Sequence, residues 1–484
     1  MLRKLIAQAV RECDYLVFLP AGYCLTPDAL QYFAAEIMEA APDLLYADED
    51  RIATDGAKAF DPVFKPDFSI DYLRSYNYIG SCFCIRSRAA NDFPLNRLQT
   101  GDGFFYDLLL HTAEVQGTGA GNGICHIPEI LFRRNSVQGK TSAELRQEAF
   151  TGKLELEALQ EHCRRCGISA EVTEDQAFPV FRISYHLPEE PLVSIIVPNK
   201  DHVEELRACI ESFEKLSTYN NYEWIIVENN STEAETFAYY RELEQRNRQQ
   251  EQNNQSGLTE QHEQHKQNVT VVTYEDTFNY SKINNFGVRY AKGEFLMLLN
   301  NDTELISPDG LRQLVGTLQQ EDAGIAGARL LYPDRRLQHG GIGLGIGGIA
   351  GHLFTDLEEN DPGYGYRAVS TVDYSAVTAA CLLVKKSVYE AVGGMEESLA
   401  VAFNDVDFCL KVRALGKRVV YCGDVELYHK ESRSRGLEDT QEKVDRFYSE
   451  IIWFIEKWRD EICAGDPYYN RNLSMENNPF YRLR

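Results

Sequence analysis

Apolar runs of five or six residues recur along this chain, and each ends abruptly in a polar turn. Leu192-Val193-Ser194-Ile195-Ile196-Val197, Tyr222-Glu223-Trp224-Ile225-Ile226-Val227, Val269 to Tyr274 and Phe295 to Leu299 read as buried strands. Val203 to Leu216 reads as a helix between the first two. Strands alternating with helices predict a parallel sheet with crossover connections. A shorter version of the pattern opens the chain. Tyr15 to Leu19 repeats the strand Phe295 to Leu299, and Thr26-Pro27-Asp28-Ala29-Leu30 repeats the helix start Ser307-Pro308-Asp309-Gly310. One architecture is written twice.

The pattern divides the chain into four parts. Residues 1–137 hold the first copy. Residues 138–190 form a linker, helical from Ser142 to Cys166 and then extended up to Leu187-Pro188-Glu189-Glu190-Pro191. Residues 191–440 hold the second copy, and 441–484 a helix (Gln441 to Trp458) with an irregular tail. Residues 244–268 are rich in Gln, Asn, Glu and His, which cannot bury enough apolar surface to offset ordering, so a disordered insert is expected there.

Composition narrows the function. A hydrophobic fraction of 44% with 25% charged residues is that of a globular protein. A formal charge of −25 excludes nucleic acid as a partner and opposes electrostatic docking on an anionic membrane. No apolar run reaches the length of a membrane span, and Met1-Leu2-Arg3-Lys4 leads into no signal-peptide core, so a cytoplasmic chain is expected. The twelve cysteines are scattered, several within apolar strands. The lone pair Cys163-Arg164-Arg165-Cys166 lacks a second pair at zinc-ribbon spacing, and a structural role outweighs zinc or redox chemistry.

In an open parallel sheet, ligands bind beyond the carboxyl ends of the strands. Three ends are polar: Pro198-Asn199-Lys200-Asp201, Glu228-Asn229-Asn230-Ser231 and Asn300-Asn301-Asp302. All three are expected to face one crevice. A carboxylate flanked by amides suits a ribose or a base edge, and Asp302 suits a divalent cation bridging phosphates.

Here the chain resembles the inverting family-2 glycosyltransferases of GT-A fold, in particular the rhamnosyltransferase and O-antigen polysaccharide branch. The resemblance rests on Val193-Ser194-Ile195-Ile196-Val197-Pro198, Val227-Glu228-Asn229-Asn230-Ser231, Phe278-Asn279-Tyr280-Ser281-Lys282-Ile283-Asn284-Asn285 and Leu298-Leu299-Asn300-Asn301-Asp302. It continues through Val392-Gly393-Gly394-Met395-Glu396-Glu397, Phe403-Asn404-Asp405-Val406-Asp407 and Leu427-Tyr428-His429-Lys430-Glu431-Ser432.

The resemblance implies an α/β fold: a GT-A domain with a Rossmann-like mixed sheet, preceded by a partial, degenerate GT-A-like domain. It implies a nucleotide-diphosphate sugar donor contacted by Pro198, Asn199, Asp201, Glu228, Asn230, Ser231, Asn285 and Asn301. It implies Mg²⁺ or Mn²⁺ held by Asp302 and His429, with Asp405 as general base. The acceptor would be a glycan or lipid-linked glycan, leaving room for a peripheral contact at the inner face of the cell membrane. Asn300 and Asn301 stand where a strict DxD motif has its first acid, and Glu228 where the family more often has Asp.

Other motifs weigh less. Gln338 to Gly348 is glycine-dense but lacks the Lys-Ser/Thr of a P-loop, and reads as a mobile loop flanking the acceptor site. His339 within it is either an acceptor contact or structural. Thr378-Ala379-Ala380-Cys381 is a pocket wall or simple packing, and Ser432 to Arg435 are placed to close over the diphosphate.

In the first copy, Ser81 to Arg86 answers to Ala380 to Lys385, Phe105 to Leu110 to Asp405 to Leu410, and Leu131-Phe132-Arg133 to Leu427-Tyr428-His429. Gly22 then stands for Asp302, Phe105 for Asp405 and Arg133 for His429. Such a copy is expected not to transfer sugar, although its aromatics (Tyr46, Phe60, Phe64, Phe68, Tyr76, Tyr78) suggest glycan binding. It also lacks the nucleotide-binding strands, leaving an edge that the second domain covers unless the chain is a truncated tandem enzyme. The rival readings are a non-catalytic glycan-binding or scaffold protein of a polysaccharide assembly complex, and a nucleotidyltransferase. The latter would carry a glycine-rich basic loop where Val197 to Asp201 has no glycine.

Overall fold

The computed structural model describes residues 2–53, 59–93, 102–116, 123–136, 152–256, 268–431 and 440–476. In the first unit, β1 (Tyr15–Phe18), β2 (Tyr23–Leu25), β3 (Leu44–Ala53), β4 (Phe60–Val63), β5 (Phe83–Arg86) and β6 (Ile124–Ser136) form one sheet, with main path β1-β5-β3-β6-β2. A hairpin of β7 (Ala170–Glu174) and β8 (Phe181–Tyr185) follows the helix Lys153–Arg165.

The second unit holds β9 (Val193–Asn199), β10 (Tyr222–Glu228), β11 (Val269–Thr273), β12 (Phe295–Leu299), β13 (Thr303–Leu305) and β14 (Ala323–Leu331). Further along come β15 (Leu337–His339), β16 (Ile342–Leu344), β17 (Ala350–His352), β18 (Thr371–Asp373), β19 (Cys381–Lys385) and β20 (Arg418–His429). Its ten-stranded sheet runs β11-β10-β9-β12-β19-β14-β20-β13, parallel from β11 to β12 and mixed beyond. This is the mixed GT-A sheet.

Period-2 alternation builds its two faces. Ile196, Ile225, Leu296 and Leu298 enter one core cluster; Ile195, Trp224, Met297 and Leu299 enter the other. A strand buried on both faces must be apolar at every position, hence the unbroken runs in the sequence.

The first sheet repeats half of this topology. β1–β5 and β5–β3 are antiparallel, β3–β6 parallel and β6–β2 antiparallel. β12–β19, β19–β14, β14–β20 and β20–β13 follow the same sequence of directions. Register corrects one correspondence. Tyr23 pairs with Arg134 as Thr303 pairs with His429, so Arg134, not Arg133, occupies the histidine's place. Strand pairing sets this alignment, whereas the sequence had only short apolar runs to slide. The likeness continues past residue 137. Asp107 accepts from Arg165 at 2.8 Å on the helix Lys153–Arg165, as Asp407 accepts from Lys457 at 2.6 Å on the helix Gln441–Lys457.

β1 stands at the end of its sheet, and the second unit meets the first elsewhere, at the helix Ile70–Ser75. There Ser69 Oγ donates to Asp373 at 2.7 Å and Thr371 N to Ser75 Oγ at 3.1 Å. The C-terminal segment is irregular over 465–476, as expected, and stitches the units together. Asn470 Nδ2 donates to Asp48 at 2.9 Å and to the Lys65 carbonyl at 2.8 Å, while Asp67 N donates to Pro467 O at 2.8 Å.

Two further expectations change, and one lies partly outside the described residues. The helix Ala234–Ser256 runs thirteen residues into the segment expected to be disordered from 244, since its Glu, Gln and Arg residues are good helix formers; 257–267 lie outside the described residues. The helix expected from Ser142 is described from Lys153, and 142–151 lie outside the described residues. The aromatics considered for glycan binding are mostly core. Tyr46, Phe64, Tyr76 and Tyr78 are buried, and Tyr46 stacks on His126 at 5.0 Å.

Candidate active site

The ends of β9, β10 and β12 open on one cavity of about 550 Å³, a size suited to a small-molecule ligand. Pro198, Asn199, Asn301, Asp302, Asp405 and His429 line it, so six of the residues singled out in the sequence are brought together.

The Asn300-Asn301-Asp302 turn is fixed from both sides. Asn300 N donates to Ala380 O at 3.0 Å, and Thr303 Oγ1 to Asn300 O at 2.8 Å. Asn301 Nδ2 donates to Asn199 Oδ1 at 2.7 Å. Asp302 then faces His429, whose Nε2 lies 3.3 Å from Asp302 Oδ1. They meet because β13, which follows the turn directly, pairs with the end of β20.

Asp405 stands opposite, in the first turn of the helix Asn404–Ala414. Its Oδ1 accepts from Val406 N at 2.9 Å and its Oδ2 from Ala379 N at 3.3 Å. The preceding loop is held from the helix Gln441–Lys457 by Glu450, which accepts from the amides of Ala400, Val401 and Ala402 at 3.0, 3.2 and 2.8 Å. Phe403, at φ 58°, turns the chain into the helix.

The other sequence candidates lie off the cavity wall. Glu228 is buried, and its carboxylate accepts from Ser231 N, Ser231 Oγ and Tyr240 OH, each at 2.6 Å. Tyr240 OH also accepts from Asn199 Nδ2 at 2.7 Å, so a chain Glu228–Tyr240–Asn199–Asn301 ties three strand ends together. Asp201 instead holds the turn before the helix Ala234–Ser256, accepting from Thr232 N at 2.8 Å and Glu233 N at 2.9 Å. Asn230 donates to Asp276 O at 2.9 Å. Asn285 fastens its helix to the Gly394–Glu397 loop through Met395 and Glu397. Strand alternation and local turn chemistry spend these side chains on the scaffold.

The glycine-dense segment, expected to be mobile, is the packed hairpin β16–β17, its Leu344 amide held by Asp466 at 2.6 Å. Gly341, at φ 102°, passes so close to Tyr374 that a Cβ would sit 2.3 Å from the ring. His339 is fully buried behind the wall, with Nδ1 3.2 Å from Nδ1 of His352, which lines the cavity. Thr378, Ala379 and Ala380 form wall; Ser432 to Arg435 lie outside the described residues.

The cavity also recruits residues given no role in the sequence reading: Phe278, Gln338, His352, Lys443 and Arg446, of which Gln338 opens the glycine-dense segment. Phe278 opens a motif already noted. Lys443 and Arg446 carried one signal, basic residues three apart on an otherwise amphipathic helix.

An open mixed sheet with an acid–histidine pair and a second carboxylate across one cleft defines a GT-A class protein. Residues 194–389 form a domain that matches the profile of Glycosyl transferase family 2. It is 37% identical over 471 residues to the uncharacterized protein y4gI of Sinorhizobium fredii, and 33% over 465 residues to the O-antigen biosynthesis protein RfbC of Myxococcus xanthus. Each alignment covers 96% of this chain but only 49% and 34% of those relatives, so the chain spans half their length or less. The mannosyltransferase PcManGT of Pyrobaculum calidifontis, solved with GDP-Man and Mn²⁺, aligns with a TM-score of 0.39 at 16% identity, covering 66% of this chain and 75% of that one.

Proposed function

We propose that residues 191–440 transfer a sugar, with inversion, from a nucleotide-diphosphate donor to a hydroxyl of a growing cell-surface polysaccharide or lipid-linked glycan. The observation that carries this is the opening of the Asp302–His429 pair and Asp405 onto the same cavity as the β9, β10 and β12 ends. One carboxylate with one imidazole is a reasonable donor set for Mn²⁺ and a poorer one for Mg²⁺, which prefers oxygen alone. Asp302 and His429 would hold the cation, which when bound neutralises charge on the departing diphosphate.

Asp405 takes the proton of the acceptor hydroxyl as that oxygen attacks the anomeric carbon. The bond from that carbon to the donor phosphate breaks, and the nucleoside diphosphate carries the electron pair away. The Glu228–Tyr240–Asn199–Asn301 chain keeps the strand ends in register beneath the donor. Asp405→Asn should abolish transfer while leaving Mn²⁺-dependent nucleotide binding intact; Asp302→Ala should weaken that binding. Retained turnover in Asp405→Asn removes Asp405 as base, and favours a scaffold role if no nucleotide-sugar in a panel is turned over by the native chain.

The first unit is read as a copy without a transfer site. Phe105, in the place of the base, packs against Phe18, Phe83 and Phe104 at 5.6, 6.2 and 5.2 Å between ring centres. Arg134, in the place of the histidine, lies 5.5 Å over the ring of Tyr23. No helix of the described residues is long and apolar enough to cross a membrane.

A further inference from the structure

β15 is three residues long, yet its middle residue, Gln338, reaches two other groups of the site. Gln338 Oε1 lies 2.7 Å from His429 Nδ1, and Gln338 Nε2 lies 3.1 Å from Glu431 Oε2. Gln338 is 5% and His429 8% exposed, and Glu431 stands at the solvent side of the pair. Gln338 Nε2 donates to the Glu431 carboxylate, which puts the amide NH₂ on that side. The amide oxygen must then face His429, and an oxygen there requires a proton on Nδ1. With Nδ1 holding that proton, the lone pair of the neutral ring sits on Nε2. Nε2 is the atom directed at Asp302, 3.3 Å away, and it meets the Asn300 amide nitrogen at 3.1 Å, which donates into a lone pair.

We propose that Gln338 is a positioning residue of the cation site, fixing the tautomer and the ring plane of His429 so that Nε2 faces Asp302 with its lone pair. The inference rests on the reading of Asp302 and His429 as cation ligands. It explains why an amide stands at this position. A carboxylate at 338 would also accept from Nδ1–H but would be set against Glu431. A leucine would leave Nδ1–H unpartnered and let the ring turn over, exchanging its two nitrogens. Partners of this kind commonly govern metal affinity by roughly 10–100-fold.

The test uses the full chain with Mn²⁺ alone as probe, followed by electron paramagnetic resonance, in the native chain, Gln338→Leu, the exchange Gln338→Glu with Glu431→Gln, Asp302→Ala and His429→Ala. Gln338→Leu is expected to weaken Mn²⁺ binding about 10–100-fold. The exchange restores it to within a few-fold, because acceptor and donor swap places. Nitrogen-15 spectra of the histidine rings in the native chain, without metal, should show His429 protonated at Nδ1. Gln338→Leu binding Mn²⁺ as tightly as the native chain, while Asp302→Ala and His429→Ala lose it, overturns the inference and leaves the ligand reading standing. Unchanged binding in Asp302→Ala and His429→Ala overturns the ligand reading itself. If Gln338→Leu does not fold, a native His429 bare at Nδ1 is by itself sufficient to overturn the proposal.

Discussion

His162 is buried between two groups that fix its protonation. Arg74 Nε donates to its Nε2 at 3.0 Å, and its Nδ1 faces Glu114 at 2.7 Å. Burial, reinforced by the Arg74 charge, pushes its pKa from 6.5 down to about 4. Glu114, despite its own burial, is held well below the carboxylate range by His111 beside it and by the hydrogen bonds of His162 and Arg165. Both shifts act with the same sign. Below pH 6.5 the unfolded chain binds a proton at His162 that the folded chain refuses, so stability is lost as pH falls toward 4, and the loss at Glu114 follows at lower pH. The His162 share amounts to about 3 kcal/mol at most. Urea unfolding of His162→Gln should therefore show a flatter loss of stability between about pH 7 and 4.5 than the native chain; equal losses would assign the acid sensitivity elsewhere. Cys166, beside the same histidine, completes a Glu-His-Cys trio, but the Arg74 and Arg165 guanidinium groups already occupy its acceptors.

At the scale of elements, the helix Gln441–Lys457 serves the site from outside the matched family segment. Glu450 gathers the three amides of Ala400 to Ala402, Lys457 bonds the buried Asp407, and Lys443 and Arg446 reach the cavity. Removing the Glu450 carboxylate leaves three amides without their acceptor on the loop that delivers Asp405. Glu450→Leu should cost about 1–3 kcal/mol in stability and lower turnover, with Glu450→Gln intermediate because one acceptor oxygen remains. Turnover unchanged in Glu450→Leu would show that the loop holds its own shape. The same scale explains what the sequence reading found and missed. Phe295–Leu299 and Val203–Leu216 were legible to the residue, because a doubly buried strand and an amphipathic helix each write a complete pattern. The glycine-dense stretch was read as mobile because local composition says nothing of Tyr374 and Asp466, which arrive from far along the chain to pack it.

Across the whole molecule, the two units share one core and one charge cluster. Leu44, Tyr72 and Phe83 of the first unit belong to the same buried cluster as Ile196, Leu298 and Tyr421 of the second. At the junction, Arg418 bonds Asp373 and Asp322, each at 2.9 Å, and also Asp71 of the first unit. Burial, with Asp71 adding to it, pushes Asp373 up to about 6. Arg418→Met strands these carboxylates in the interior and should cost about 3–5 kcal/mol, with both units lost in a single transition by circular dichroism. A variant that unfolds in two separated steps would show the units to be thermodynamically independent.

The sequence by itself determined the alternating α/β layout, the repeated half-sheet, the polar strand ends and the acids Asp302 and Asp405, since each is set by periodicity or by residue identity at one place in the chain. Tertiary structure alone decided which of those polar groups face the cavity. Glu228, Asp201, Asn230 and Asn285 turn to scaffold partners, while Gln338, His352, Lys443 and Arg446 enter from strands and a helix remote in sequence. A side chain's direction depends on the partner it meets, and that partner is fixed by packing between elements far apart in the chain.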